Sequence, residues 1–337
     1  MPAIASASRP RAAASTLQSS FHHPVVRVVA RRVLLAIPLL FIVTALSFVL
    51  LSLTPGDAAE QILGNSATPE TIAALRHQLG LDQSLPERYW DWVSNALGGD
   101  LGSSIFTGQD VAQAVVERLT VSLSLIVCGL LLMFGIGIPV GIFSAVRGGK
   151  AATFVDGLAL LCLSLPGFWV GAILVDFFAV KIHLFPAVGY VPLADSPGEW
   201  LRSITLPVIA LSLFGIATVA KNTREAMLDV LASEHVRMAW ANGIPARSII
   251  FVYALKNVGV RILTLVGVLT IGLLSGTVFI ETVFALPGIG GYAVTAASQQ
   301  DVAVVQGVVV FYVLIIVFVN LVVDVAYTWL DPRVRTS

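Results

Sequence analysis

The stretch EHVRMAWANG, residues 234–243, lies between long apolar runs in a chain that is 57% hydrophobic. It carries Glu234, His235 and Arg237 and ends on a glycine. In the longer segment TREAMLDVLASEHVRMAWANG, apolar residues fall at Met227, Leu231 and Met238 and at Leu228, Val236, Ala239 and Trp240, which is helical spacing. Gly243 can take the left-handed conformation that closes a helix, and Pro245 can open the next one. PARSIIFVYALKN then returns to an apolar run. The loop at 221–261 is therefore predicted as two short helices with a sharp turn at Gly243. On the residues alone two readings fit it: a helix lying on lipid, or a helix seated in a partner's groove.

The surroundings decide the fold class. Only 12% of the 337 residues are charged, against about 25% in a soluble domain, so lipid must solvate much of the chain. A net charge of +0 gives no basic field for nucleic acid, and none is expected as a partner. Cys128 and Cys162 both lie in apolar runs and read as inert buried thiols. A crossing helix needs about 20 apolar residues. Six stretches qualify, near 33–53, 119–143, 154–180, 204–220, 262–280 and 304–329, with Pro38, Pro139, Pro166 and Pro207 inside or at the ends of them. The expected fold is all-α, a polytopic membrane protein of about six transmembrane helices. Residues 1–24 are Ala/Ser-rich and read as a disordered cytoplasmic tail. The first run is too long, and too far from the start, for an ordinary cleaved signal.

Basic residues set the predicted orientation. With the N-terminus in the cytoplasm, fifteen of the 20 Lys and Arg residues fall inside, six of them between Lys221 and Arg261. Both termini are then cytoplasmic, as is EHVRMAWANG. The segment 25–118 holds the first span and an extracytoplasmic loop with helices of its own. TPETIAALRHQLG has Thr68 as N-cap, Pro69 at the first helical position and Gly80 beyond the end. In SLPERYWDWVSNALGG, Ser84 and Glu87 are spaced as a capping box, and Tyr89, Trp90 and Trp92 suit the headgroup layer. Residues 119–335 form the core.

Several chemistries find no residues to carry them. GGKAATF at 148–154 lacks the spacing and the Lys-Ser/Thr pair of a phosphate loop. His22, His23, His77, His183 and His235 show no metal-ligand spacing. No GxSxG segment is present, so the chain is not read as an enzyme. Asp156, Asp176, Glu281 and Asp324 lie toward span ends and read as helix-end pairing groups rather than a proton relay. No cofactor or metal is implied.

EHVRMAWANG resembles the signature loop of ABC-importer permeases, in which a small-residue pair and a glycine four positions on mark the helix that docks on the ATPase. Ala239 and Gly243 fill the matching slots, Met238 is bulkier than its slot, and Arg237 stands where many importers carry glutamate. Further segments agree in order: LTPGD, LGLDQSLPERYWDWV, GDLGSSIFTG, VVERLTVSLSL, LPGFWVGAILVDFFAV, LFPAVGY, ETVFALPGIGGYAV, DVAVVQGVVV and LVDVAYTWLDPRVR. Over about 25–335 the chain is similar to the B-type subunit of dipeptide/oligopeptide permeases, with Arg261 where a proline is usual near the fifth span.

The resemblance implies a bacterial inner-membrane permease with the type I ABC-importer fold. It implies a second homologous permease subunit as heterodimer partner, two ATP-binding subunits and an extracytoplasmic substrate-binding protein, all working beside membrane lipid. Glu234, Arg237, Ala239 and Gly243 become the coupling residues toward the ATPase. Pro287, Gly288 and Gly290 become structural candidates at the outer mouth. The substrate would be a di- or oligopeptide, with nickel chelates, glutathione or haem as alternatives. A stand-alone secondary carrier or channel is the competing class.

Overall fold

The computed structural model describes residues 24–330. The tail predicted at 1–24 falls almost wholly outside them, as do Arg333 and Arg335. Among the described residues the chain is helical, with no strand. Helix α1 (Pro24–Leu53) is followed by short helices α2 (Ala58–Leu63), α3 (Pro69–Gln78) and α4 (Leu85–Leu97). Then come α5 (Val111–Arg147), α6 (Gly149–Ser164), α7 (Gly167–Leu174) and α8 (Pro197–Leu231). The chain continues through α9 (Glu234–Ala241), α10 (Leu255–Val283), α11 (Ile289–Ser298) and α12 (Val302–Leu330).

Among the described residues five helices are long and apolar enough to cross a membrane, and a sixth crossing is made if the bent pair Ala152–Ser164 and Gly167–Lys181 is one span. That pair departs from the continuous helix expected at 154–180: its halves meet at 96°. Leu165 ahead of the proline is extended, with φ −90 and ψ 126, because the proline ring excludes the helical region for its predecessor. Pro166 also has no N–H to give, and Gly167 follows it with poor helix propensity. Pro38, Pro139 and Pro207 stay inside intact helices. A bundle tolerates such residues because neighbouring helices re-satisfy freed carbonyls.

The centre of the bundle is α5 against α8, with α10 laid across both. Lipid tails are as apolar as leucine, so close packing rather than water exclusion holds such helices together. Close approach needs small residues. Gly137 and Gly141 of α5 form a G-x-x-x-G step against α8, where a Cβ on Gly137 would sit 2.7 Å from Val219 Cβ and one on Gly141 2.6 Å from Thr223 Cβ. Leu125, Met133, Leu206, Val219, Leu273 and Phe284 fill the space beside this crossing. By contrast α1 turns Val33, Leu34, Ile37 and Leu46 outward, a surface suited only to lipid or another apolar chain.

The caps read from the sequence are present. Thr68 Oγ1 accepts from Thr71 N at 3.3 Å, and Gly80 has φ +67. Ser84 donates its N–H to Glu87 Oε2 at 3.1 Å. The aromatic residues of α4 divide. Trp90 faces out, whereas Tyr89 donates to Phe41 O at 3.0 Å and Trp92 donates to Leu101 O at 3.4 Å, so those two dock the helix on the bundle.

Candidate functional site

At one end of the bundle α8 stops at Leu231, and Ser233 turns the chain into α9 with extended backbone (φ −73, ψ 152). The helical stretch read over 223–243 is therefore broken at Ser233, and Glu234–Ala241 forms a short, separate helix. Its inner face is Val236 (0% exposed) and Ala239 (5%), which pack on Ile249 with Val230, Leu231 and Ile244 at the edge. Its outer face is Glu234, His235, Arg237, Met238 and Trp240. Ala239 thus makes its close approach to its own chain, and Met238, 66% exposed, is the residue presented outward. Arg237 Nη1 donates to Glu234 Oε1 at 3.0 Å; an exposed i,i+3 pair of this kind contributes about 0.3–0.5 kcal/mol.

The helix ends in a Schellman motif. Gly243 N–H donates to Trp240 O at 3.0 Å and Ile244 N–H to Ala239 O at 3.2 Å, with Ile244 closing the apolar contact over the turn. Gly243 has φ +76, and nothing lies within 4 Å of where a Cβ would stand. Glycine is required there for backbone conformation, not for space. Beyond it Pro245 caps the turn Ala246–Ser248, and a π-helical stretch, Ile249–Ala254, leads straight into α10.

Among the described residues, three ion pairs join neighbouring helices at this end. Arg224 donates to Asp156 at 2.9 and 3.0 Å, linking α8 to α6. Arg261 donates to Asp229 at 3.0 Å, linking α10 to α8. Arg32 pairs with Asp324 across α1 and α12. Arg261, at the position where the resemblance led one to expect proline, thus has an acidic partner.

The opposite end holds the other predicted group. Glu281 in the last turn of α10 is 1% exposed. Its Oε1 accepts from Ser122 Oγ of α5 at 2.6 Å and its Oε2 from Gly291 N–H of α11 at 3.0 Å. Ser122 Oγ in turn accepts from Ile289 N–H at 2.9 Å. Pro287 is exposed, while Gly288 and Gly290 are buried against this carboxylate. A Cβ on Gly288 would overlap the Glu281 carboxylate, and one on Gly290 would come to 2.8 Å from Val278 Cα. Beside them Asp301 receives Ser104 Oγ at 2.6 Å, and the Arg118 guanidinium lies 4.1 Å from the Tyr292 ring centroid. A cavity of about 580 Å³ opens between these groups.

Sequence reasoning placed Glu281 at a helix end but did not pair it with Ser122, 159 positions away. The G-x-x-x-G step at Gly137 and Gly141 was also passed over, although its spacing in an apolar run was a usable signal.

Long apolar helices, one of them broken, with a short polar helix at one end of the bundle define a multi-pass membrane protein. The comparisons agree. The chain belongs to the dipeptide/oligopeptide branch of the ABC-importer permeases: residues 137–336 match the family described as "Binding-protein-dependent transport system inner membrane component", and residues 25–126 match its N-terminal part. It is 42% identical over 312 residues to a putative peptide transport system permease protein of Brucella abortus, covering 91% of this chain and 98% of that one. It is 34% identical over 331 residues to a di/tripeptide transport system permease protein of Pseudomonas aeruginosa, again covering 91% and 98%. A dipeptide transport system permease protein of Alkalihalophilus pseudofirmus is 32% identical over 326 residues, covering 90% and 98%. The chain is an inner-membrane component that works with a binding protein.

Proposed function

We propose that this chain forms half of the translocation pathway of an ATP-driven importer of di- or oligopeptides, with ATP hydrolysis confined to partner subunits. The relatives' names support the peptide substrate, and no phosphate loop is present in the sequence. The partners are a second, homologous permease subunit, two ATP-binding subunits and an extracytoplasmic binding protein. The α9 end faces the cytoplasm with both termini, as the basic residues of 221–261 favour; α3, α4 and α11 lie outside. The core spans 119–335, with 221–261 as its coupling loop.

The observation that carries this reading is the build of α9. Val236 and Ala239 seat it on Ile249, Gly243 fixes its end, and Glu234, Arg237, Met238 and Trp240 are left facing away from the chain. A helix fastened on one face transmits a push to α8 and α10, which a floppy loop does not. Switching a pathway from 1:99 to 99:1 takes about 5.5 kcal/mol of differential binding, so the seat must be stiff.

Gly243→Pro tests it. Proline fixes φ near −65°, opposite in sign to the +76 found here, and it deletes the N–H that bonds Trp240 O. In reconstituted complex, peptide uptake is expected to fall by about tenfold or more, the equivalent of about 1.4 kcal/mol or more of lost coupling. A Met238→Cys variant should crosslink to the ATP-binding subunit. Undiminished uptake by Gly243→Pro, together with no crosslink, would remove α9 from the coupling path.

A further inference from the structure

Helix α10 is engaged at both ends. At its start Ile249, in the π-helical turn that continues into it, is buried against Val236 and Ala239 of α9. At its finish sits the Glu281 carboxylate. The helix itself, Leu255–Val283, is 29 uninterrupted residues, a rod about 43 Å long at 1.5 Å per residue.

The corner beyond Glu281 is sharp. Ala285 has φ +48, a left-handed conformation unusual for a residue with a Cβ, and Leu286 N–H returns to Glu281 O at 2.8 Å. Gly189 N–H reaches Phe284 O at 3.3 Å. Ile289 and Ala296 seat α11 in an apolar cluster with Val111, Val115, Val304 and Val308, and the side chain of Glu281 supplies the polar tie between α11 and the end of α10. One oxygen takes the Ser122 hydroxyl and the other the Gly291 amide, while Ser122 itself holds the Ile289 amide. A single buried carboxylate thus joins α5, α10 and α11. Its partners are a hydroxyl and backbone amides, not a mobile cation. The arrangement fixes positions rather than balancing charge, and Gly288 and Gly290 are the two places where a side chain would evict it.

We propose that Glu281 is a positioning residue that makes α11 move as one body with the far end of α10, so that a displacement of α9 is delivered to the mouth of the pathway. This rests on the coupling role proposed above for α9. Glutamine at 281 keeps the shape but offers one acceptor oxygen where two donors converge, so with Gly291 on that oxygen Ser122 must reverse and accept from the new NH2, and the carboxylate's charge-assisted bonds become neutral ones.

The test uses the complete complex in proteoliposomes with loaded binding protein, reading peptide uptake and ATP hydrolysis together. In Glu281→Gln the ATP-binding subunits remain bound and hydrolysis stays within about twofold, while peptide carried per ATP falls about tenfold, the scale of a charge-assisted buried bond replaced by a neutral one. Ser122→Ala, which leaves the carboxylate and its amide partners in place, shifts the ratio in the same direction and decides the matter if Glu281→Gln does not assemble. Thr282→Ala is the control, because that exposed hydroxyl bonds only Val278 O of its own helix, at 2.9 Å. An unchanged peptide-to-ATP ratio in the network variants, or an equal fall in Thr282→Ala, overturns the proposal. If the native chain binds no ATP-binding subunit, the coupling reading falls and takes this one with it; if the native complex couples and Glu281→Gln couples equally, only the role of Glu281 falls.

Discussion

Gly141→Leu is expected to destroy the central helix pair. A Cβ at this position would already lie 2.5 Å from the Ala220 carbonyl oxygen and 2.6 Å from Thr223 Cβ, so even alanine forces α5 and α8 apart. Leucine adds three more carbons to the same place. Overpacking a core costs about 1–3 kcal/mol and occasionally more. Here the obstacle is backbone, which has no rotamer to escape into, so the upper part of that range applies. The loss spreads: separating α5 from α8 also loosens Val219 against Gly137 and the Ser212 hydroxyl against Gly129 O, now 3.4 Å apart. The measurement is the yield of monodisperse protein in detergent and its thermal midpoint. Gly135→Leu provides the contrast on the same helix. Nothing lies within 4 Å of its Cβ position, and leucine gains up to about 1 kcal/mol of helix propensity over glycine. Equal behaviour of the two variants would show that the close crossing is not what holds the bundle.

The parts of this structure legible in the sequence are those whose causes are local. Runs of apolar residues announce the crossing helices, and Thr68, Pro69, Ser84 and Glu87 announce caps that close within one turn. Gly243 announces a left-handed residue, and its φ is +76. The break at Pro166 was also written locally. Of the four Pro-Gly pairs, those at Pro55, Pro166 and Pro287 lie where helices are interrupted and that at Pro197 opens α8, whereas Pro38, Pro139 and Pro207 are followed by other residues and stay inside helices. The dipeptide, not the proline, was the signal.

What could not be read depends on distant partners. The α9 segment has apolar residues on two faces, and only Ile249, which covers Val236 and Ala239, decides that Met238 and Trp240 turn outward. No period within ten residues contains that choice. Glu281 shows the same limit more strongly, since a carboxylate near a span end predicts pairing but cannot name a serine on another helix. Tyr89 and Trp92 looked like headgroup anchors by composition, yet their polar atoms bond Phe41 O and Leu101 O and fasten α4 to the bundle.

Asp301→Ala should be the second most damaging change. Asp301 is 1% exposed and stands just before α12. Its Oδ1 accepts Val304 N–H at 3.4 Å, and its Oδ2 accepts the Ser104 hydroxyl at 2.6 Å. Ser104 Oγ then accepts the amides of Phe106 at 3.3 Å and Thr107 at 3.2 Å, so the loop preceding α5 is folded around the hydroxyl that Asp301 orients. Alanine removes an N-cap, worth about 1 kcal/mol, and strands a buried hydroxyl, at about 1–3 kcal/mol. The expected loss is about 2–4 kcal/mol, visible as a lower thermal midpoint and as proteolytic cutting within 99–108. Asp301→Asn, which keeps one acceptor and the cap, should retain more than half of that stability.

The pair of variants also separates charge from shape. Burial pushes the Asp301 carboxyl above its ordinary range, while hydrogen bonds from Ser104, Val304 and Ile105 pull it back. A carboxyl raised in the folded state contributes most below its unfolded pKa, about 3.9, and its contribution declines as pH rises through the folded value. The native protein should therefore lose thermal stability relative to Asp301→Asn as the medium is taken upward from about pH 4. A native-to-Asn difference that grows with pH would mean that the hydrogen bonds, not burial, govern this group, and a flat one that the two cancel.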